Sequence, residues 1–383
     1  MKMFRFLTTG ESHGQCLTAI VEGLPAGLKI NVDKINEELA KRQQGYGRGG
    51  RMKIETDRVD ILSGVRFGET MGDPITLRIQ NKDWENWTDR MSVSGAPAGT
   101  PVTAARPGHA DLSGILKYDR TDIRDILERA SARETAARVA VGALCKQFLE
   151  SCGITLAAHV TNIGGVKMTD TDTPDWDYYR TSEMRCTNEA VEAKMKQAID
   201  EAKQAGDTLG GVFEVIVRGS MIGLGSHTQW DRKLDAKIAA AMMSIQAIKG
   251  VEIGVGFEYG NLPGSQAHDE LFYEEGRGYY RTSNRAGGLE GGMTNGEDII
   301  VKAVMKPIPT LMQPLSSVDV HTHEAVKACR ERSDVCAVSA ASVVGEAMMA
   351  IVMTEAVIEK FGGDCMVDFL AAVKHYEDRI KQA

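Results

Sequence analysis

Residues 122–153 read DIRDILERASARETAARVAVGALCKQFLESCG, and this stretch decides the architecture. Ile123, Ile126, Leu127, Ala130, Ala137, Val141, Leu144 and Phe148 recur three and four residues apart, the period of a helix with one apolar face. Asp122 starts it, and Gly153 is a natural stop. The spacing predicts one long helix across the whole stretch. Arg129 and Arg133, four apart, then share a face set in small apolar residues. Arginines in such a setting need anionic partners. Glu134 can serve one, as an internal ion pair, and a ligand the other.

Outward from this helix, short apolar runs alternate with further helices. Phe4–Thr8 and Cys16–Glu22 read as strands around a Gly-Glu-Ser-His-Gly turn. Val32–Arg42 reads as a helix capped by Asn31. Arg58–Leu62, Pro74–Ile79, Ile154–Asn162, Gly211–Ser220, Val251–Tyr259 and Ile299–Met305 read as strands. Asn188–Ala205, Asp231–Ile248 (capped by Asp231), Val338–Phe361 and Met366–Lys381 read as helices. Trp84–Gly108 and Gly260–Asn295 read as long loops, a common place for function. No linker separates the halves, so residues 1–383 read as a single α+β domain.

The chain has 383 residues, 43% hydrophobic and 26% charged, with a net charge of -8. That acidic total argues against a general nucleic-acid or membrane-surface partner, which needs broad positive potential. Seven scattered cysteines without a Cys-x-x-Cys pair fit reduced cytoplasmic thiols better than a disulfide framework. Met1 to Leu7 is too short and too charged for a signal peptide. Val343 to Ile358 is interrupted by Glu346 and Glu355 and reads as a buried helix. No metal-ligand spacing stands out, since His321 and His323 lack a partner nearby.

Against this acidic background, arginine, glycine and histidine concentrate in a few places. Arg42, Arg48 and Arg51 border a segment with four glycines in six residues from Gly45. Glycines admit close backbone approach, and arginine forks match phosphate and carboxylate oxygens. An exposed RNA-binding loop has the same composition. No Gly-Lys-Ser/Thr follows, so this is not the phosphate loop of nucleotide hydrolases. His13 and His109 both sit in glycine turns, His109 three residues after Arg106. Histidine suits proton transfer near neutral pH. In Arg330-Glu331-Arg332-Ser333-Asp334 a carboxylate lies close to arginines, as a proton relay or as a charged loop before a helix. Trp84 and Trp87 read as core packing or as a cleft wall.

Taken in order, these motifs resemble the chorismate synthase family from Phe6 to about Ala347. They are Gly10 to Gly14, Gly45 to Gly49, Ser63 to Arg66, Arg106 to Asp111, Ser131 to Thr135, Gln229 to Asp231, Gly287 to Gly292, Lys306 to Thr310 and Arg332 to Asp334. Lys41 and Gly345 depart from it, standing where an arginine and a methionine are common. The resemblance implies a lyase that converts 5-enolpyruvylshikimate 3-phosphate to chorismate and phosphate by 1,4-anti elimination, with reduced FMN (FMNH2) as cofactor. It implies helices layered between two antiparallel sheets and a homotetramer.

Carried over residue by residue, it makes His13, His109 and Asp334 catalytic, and Ser12, Arg42, Arg48, Arg106, Arg133 and Arg332 substrate-binding. Flavin contacts fall on Arg129, Ala130, Ser131, Gln246, Ala247, Gly291, Lys306, Pro307, Ile308, Pro309, Thr310 and again Arg332. Some members reduce their own flavin with NADPH. The compact length here favours dependence on an external flavin reductase.

Overall fold

The computed structural model describes residues 4–49, 56–169, 172–329 and 334–382. In chain order its main elements are β1 (Arg5–Thr9), β2 (Cys16–Glu22), α1 (Val32–Gln43), β3 (Val59–Ser63), β4 (Ile75–Gln80), α2 (Asp111–Tyr118), α3 (Arg124–Ala130), α4 (Thr135–Glu150) and β5 (Thr155–Ile163). These are followed by α5 (Glu189–Ala205), β6 (Gly211–Arg218), α6 (Leu234–Met243), β7 (Ile248–Ile253), β8 (Ile299–Met305), α7 (Val338–Phe361) and α8 (Met366–Lys381). The class is α+β, with antiparallel sheets.

Alternation sets the strand faces. Leu17, Ala19 and Val21 of β2 lie opposite Ile79, Leu77 and Ile75 of β4, and all six are buried. The first sheet runs β1-β2-β4-β3; the second runs β7-β8-β6-β5 and ends on the short strand Val166–Lys167. Inward side chains of β2 and β4 pack on α4, while α7 packs on β5 and β6. α4 and α7 also pack on each other. Both are buried almost all round, as central helices must be. α7 is long and apolar enough to cross a membrane, but 94% of its most apolar window is buried inside the protein.

The two central helices touch where a side chain is missing. A Cβ on Gly142 would stand 2.4 Å from Cβ of Ala347, so only glycine admits this crossing. Gly345 is explained in the same way, since a Cβ there would meet the Phe213 ring at 2.4 Å. The longer methionine common in the family would need that ring to move. Lys41 pairs with Glu38 at 2.6 Å.

Four expectations about elements are corrected. The long helix from Asp122 is two helices, because Ser131 is extended (ψ 140) and a short 3-10 turn, Ala132–Glu134, follows. Arg129 and Arg133 therefore do not share a face. The helix expected from Asp231 begins at Leu234; Asp231 sits in the 3-10 turn Trp230–Arg232 and caps nothing. That helix ends at Met243, because Ala247 turns left-handed (φ 67) into β7, which stops at Ile253. The loop Gly260–Asn295 contains a hairpin, Leu271–Glu274 with Gly278–Arg281.

Candidate active site

A cleft of about 880 Å³ opens over the ends of α1, α3 and β8 and the start of α7. That is near the upper end of the ~300–1,000 Å³ typical of small-molecule sites. Sixteen residues singled out from the sequence line it: Ser12, His13, Arg42, Arg48, Arg106, His109, Ala130, Ser131, Arg133, Gln246, Ala247, Lys306, Ile308, Pro309, Thr310 and Asp334. They come from segments far apart in the chain.

The floor is a buried charge cluster. Arg133 donates through Nη1 to both oxygens of Asp57, at 2.6 and 2.7 Å, and through Nε to Asn81 at 2.9 Å. Arg42 donates to Thr135, to the Ala132 carbonyl and, at 3.4 Å, to the same Asp57. Two guanidinium groups thus share one carboxylate, which leaves positive charge facing the cleft. Burial, followed by repulsion from Arg133 and Arg48 against the pull of Asp57, brings Arg42 down to about 10. An arriving anion relieves that cost.

The turn after β1 places His13. Gly10 is required there, since its φ is +99 and a Cβ would sit 2.3 Å from the Cys16 carbonyl oxygen. Asn81 donates to the Glu11 and Gly14 carbonyls and fixes the turn to the floor. Nδ1 of His13 lies 2.9 and 3.1 Å from the two oxygens of Glu128, and the His13 backbone N–H donates to Glu128 at 2.8 Å. The imidazole stacks on Trp87 with centroids 4.0 Å apart. Burial pushes the Glu128 carboxyl up, but His13 and Arg124 more than offset this and hold it below its ordinary value.

His109 repeats the arrangement elsewhere in the lining. Its Nδ1 lies 2.5 Å from Asp111 Oδ1, and Arg106 donates to the same carboxylate from Nε at 2.8 Å and Nη2 at 3.0 Å. Burial raises Asp111, but His109 and Arg106 hold it far below the usual carboxylate range. In both pairs Nε2 is the ring nitrogen left for proton exchange.

Asp334 closes one end of the cleft. It accepts from Arg48 Nη1 at 3.0 Å and from the Gly49 N–H at 2.5 Å. The glycine-rich loop is docked there by Val335 N–H on the Gly47 carbonyl at 2.9 Å. Gly47 has φ +80, and a Cβ would stand 2.8 Å from Ile199. Arg51 lies outside the described residues, as do Arg330, Glu331, Arg332 and Ser333.

The other wall is apolar: Leu127, Ile245, Met305, Ile308, Pro309, Ala337, Ala340, Ala341 and Val344. Gln246 stands at its edge. Its Nε2 donates to Glu134 at 3.2 Å, while its Oε1 is buried without a partner. A flat apolar ring with N–H donors at its rim satisfies both the wall and that oxygen. Ser131 Oγ, the ammonium of Lys306 (held on the Gly108 carbonyl) and Thr310 offer contacts to an anionic tail. The cleft thus fits a flavin ring and phosphate beside a second, anionic ligand.

Not every expected residue lines the cleft. Arg129 turns away and donates to the Thr8 and Gly10 carbonyls at 2.8 and 3.0 Å. Glu134 pairs with Arg138 at 2.9 Å and with Arg129 at 3.7 Å, so the internal ion pair expected for one of the two arginines falls on Arg129. Gly291 lies in the turn between Leu289–Glu290 and Met293–Thr294, and Pro307 is outside the lining. Sequence reasoning missed Asp57, Asn81, Glu128 and the role of Asp111 as the His109 partner. Asp111 alone left a signal, as the last residue of the motif from Arg106 to Asp111.

Known proteins resemble this chain over most or all of its length. A family model described as chorismate synthase matches residues 4–358. The chorismate synthase of Aquifex aeolicus is 54% identical over 100% of this chain and 99% of its own length. That of Syntrophotalea carbinolica is 56% identical over 100% of both. A crystal structure of chorismate synthase superposes with a TM-score of 0.81 at 45% identity, covering 100% of both chains. With these likenesses, and with two carboxylate-backed histidines over arginines that share one carboxylate, the chain belongs to the chorismate synthase family.

Proposed function

We propose that the family's reaction runs in this cleft, on the residues that line it. The chain is a lyase: it converts 5-enolpyruvylshikimate 3-phosphate to chorismate and phosphate, the last step of the shikimate pathway toward aromatic amino acids. The family uses a flavin. The C–O bond to phosphate and one ring C–H bond break, and a C=C bond forms. Phosphate and a proton leave, so no electrons are gained or lost overall.

Arg42, Arg48, Arg106 and Arg133, with Ser12, bind the phosphate and the carboxylates of the substrate, and Arg332 completes that set at the border with the flavin. His13 delivers a proton from Nε2 to the departing phosphate. His109 donates toward the flavin. Asp334, beside Arg48, receives the ring proton. Reduced FMN, when bound, would supply electron density for C–O cleavage and a basic ring position. Ala130, Ser131, Gln246, Ala247, Lys306, Ile308, Pro309 and Thr310 hold it, and we extend that role to Arg129, Gly291 and Pro307. The shared carboxylate under Arg42 and Arg133 carries the reading: it keeps two guanidiniums turned toward the cleft. The burial of Arg42 and Arg48 speaks against an exposed RNA-binding loop.

We further propose a single domain over 1–383 with helices sandwiched between the two sheets, a cytoplasmic homotetramer, and flavin reduced by a separate reductase. The test is anaerobic incubation of the enzyme with substrate and photoreduced FMN, following chorismate absorbance and phosphate release. Equal yields of both, without NADPH, are expected. Phosphate release without chorismate, or turnover only with NADPH present, contradicts the corresponding part.

A further inference from the structure

We infer that Glu128 is the positioning residue for His13: it selects the tautomer with the proton on Nδ1, aims Nε2 into the cleft and stabilises the ring when it is charged. This rests on His13 being the proton donor proposed above.

Four contacts converge on this carboxylate or its backbone. Glu128 takes the His13 ring at 2.9 and 3.1 Å and the His13 backbone N–H at 2.8 Å. The Glu128 carbonyl accepts the Ser12 N–H at 3.1 Å. Arg124, one helical turn earlier, donates to Glu128 at 2.8 Å. Both oxygens are therefore ringed by donors, and the side chain is 3% exposed. A carboxylate satisfied only by donors accepts; the ring nitrogen facing it must carry its proton. The second nitrogen is then a base at rest and an acid once protonated, as leaving-group protonation requires.

The ring is also held from its face. Trp87 stacks on His13 at 4.0 Å, and the Arg124 guanidinium lies 4.8 Å from the same Trp87 ring centroid. Trp87 is itself fixed by Nε1 donating to Asp83 at 3.1 Å. The imidazole can thus neither flip nor tilt without breaking a hydrogen bond or a stack. Arg124 neutralises Glu128 while His13 is neutral, so the carboxylate stays ionised without a charged histidine beside it.

Glu128→Gln and Glu128→Asp test this in the full-length enzyme with saturating photoreduced FMN. For Glu128→Gln, kcat is expected to fall by about 10²-fold, within the range of acid–base contributions, with KM and flavin affinity unchanged. The pH at which rate declines on the alkaline side should move lower, because the charged ring loses its counter-charge. Glu128→Asp, keeping the charge, should recover part of the rate and the original profile. Nitrogen-15 histidine spectra, with His13 assigned by its absence in His13→Ala, should show the Nδ1–H form in the parent and its loss in Glu128→Gln.

A wild-type rate and profile in Glu128→Gln overturns the proposal. So does a uniform loss of rate with an unmoved profile and the tautomer kept, which marks a merely structural role. If His13→Ala is fully active, the proton-donor reading fails instead; an inactive His13→Ala beside an unaffected Glu128→Gln isolates the failure to Glu128.

Discussion

Asp57 holds Arg133 through both of its oxygens while neither side chain is more than 3% exposed. The pair lies under the cleft and also anchors Arg42. Removing one partner of a buried ion pair leaves a buried charge uncompensated, at a cost of about 3–5 kcal/mol. Asp57→Asn should lower unfolding stability by that order in urea and should weaken substrate binding. An unchanged unfolding midpoint contradicts the role given to this carboxylate.

Arg48, assigned above to the substrate, pairs with Asp334 at 3.0 Å in the cleft lining. Arg48→Ala is therefore expected to weaken substrate binding far more than flavin binding. Calorimetric titration of each ligand separates the two, and equal losses would show that the ligands share this side chain.

The two histidines are held by carboxylates rather than by core packing. His13→Ala and His109→Ala should each lower turnover by about 10²–10⁴-fold, with thermal unfolding close to the parent. Full activity in both would remove them as proton donors.

Glu38 lies at the back of the central helices, where burial pushes its carboxyl up but the charges of Lys146 and Lys41 more than offset this and hold it well below its ordinary value of 4.5. Lys146 also binds Glu346 at 2.5 Å, and Glu346 binds Arg185 at 2.6 Å. A depressed folded pKa gives stability that is present in full above the unfolded value and lost as pH falls through the folded one. Stability should thus decline as pH drops below about 4.5. Glu38→Gln should flatten that decline, as read from urea midpoints across the acid range. A parallel decline in the variant assigns the acid sensitivity elsewhere.

Gly142 meets Ala347 at the crossing of α4 and α7. Gly142→Ala overpacks that crossing and should cost about 1–3 kcal/mol, seen as a lower thermal midpoint. Gly264→Ala, where an added Cβ meets nothing within 4 Å, is the control and should be nearly neutral.

Much of the chain is legible locally. β2, β8, α7 and α8 fall on the residues that alternation and helical period assign, because hydrophobic spacing and turn residues act within a few positions. The break at Ser131 is not legible that way. Its side chain accepts from the Arg133 N–H, and Arg129 and Arg133 find separate partners in β1 and in Asp57; these gains outweigh a continuous helical pattern. The early stop of α6 has the same cause, since Ala247 is drawn into hydrogen bonding with Lys306. Among site residues, those in glycine turns announce themselves. Asp57, 76 positions from Arg133, and Glu128, 115 from His13, matter only through long-range contact, which no local pattern encodes.

The cleft draws on residues from Ser12 to Val344, with its floor on the end of α1, on Asp57 and on the short turn before one central helix, and part of its wall on the first turns of the other. No nascent fragment of the polypeptide can therefore own a partial version of the catalyst. Synthesis must reach α7 before any turnover begins, and proteolytic removal of α7 should abolish product formation outright. Chorismate output can serve, for this molecule, as a direct gauge of how much of the population is natively folded.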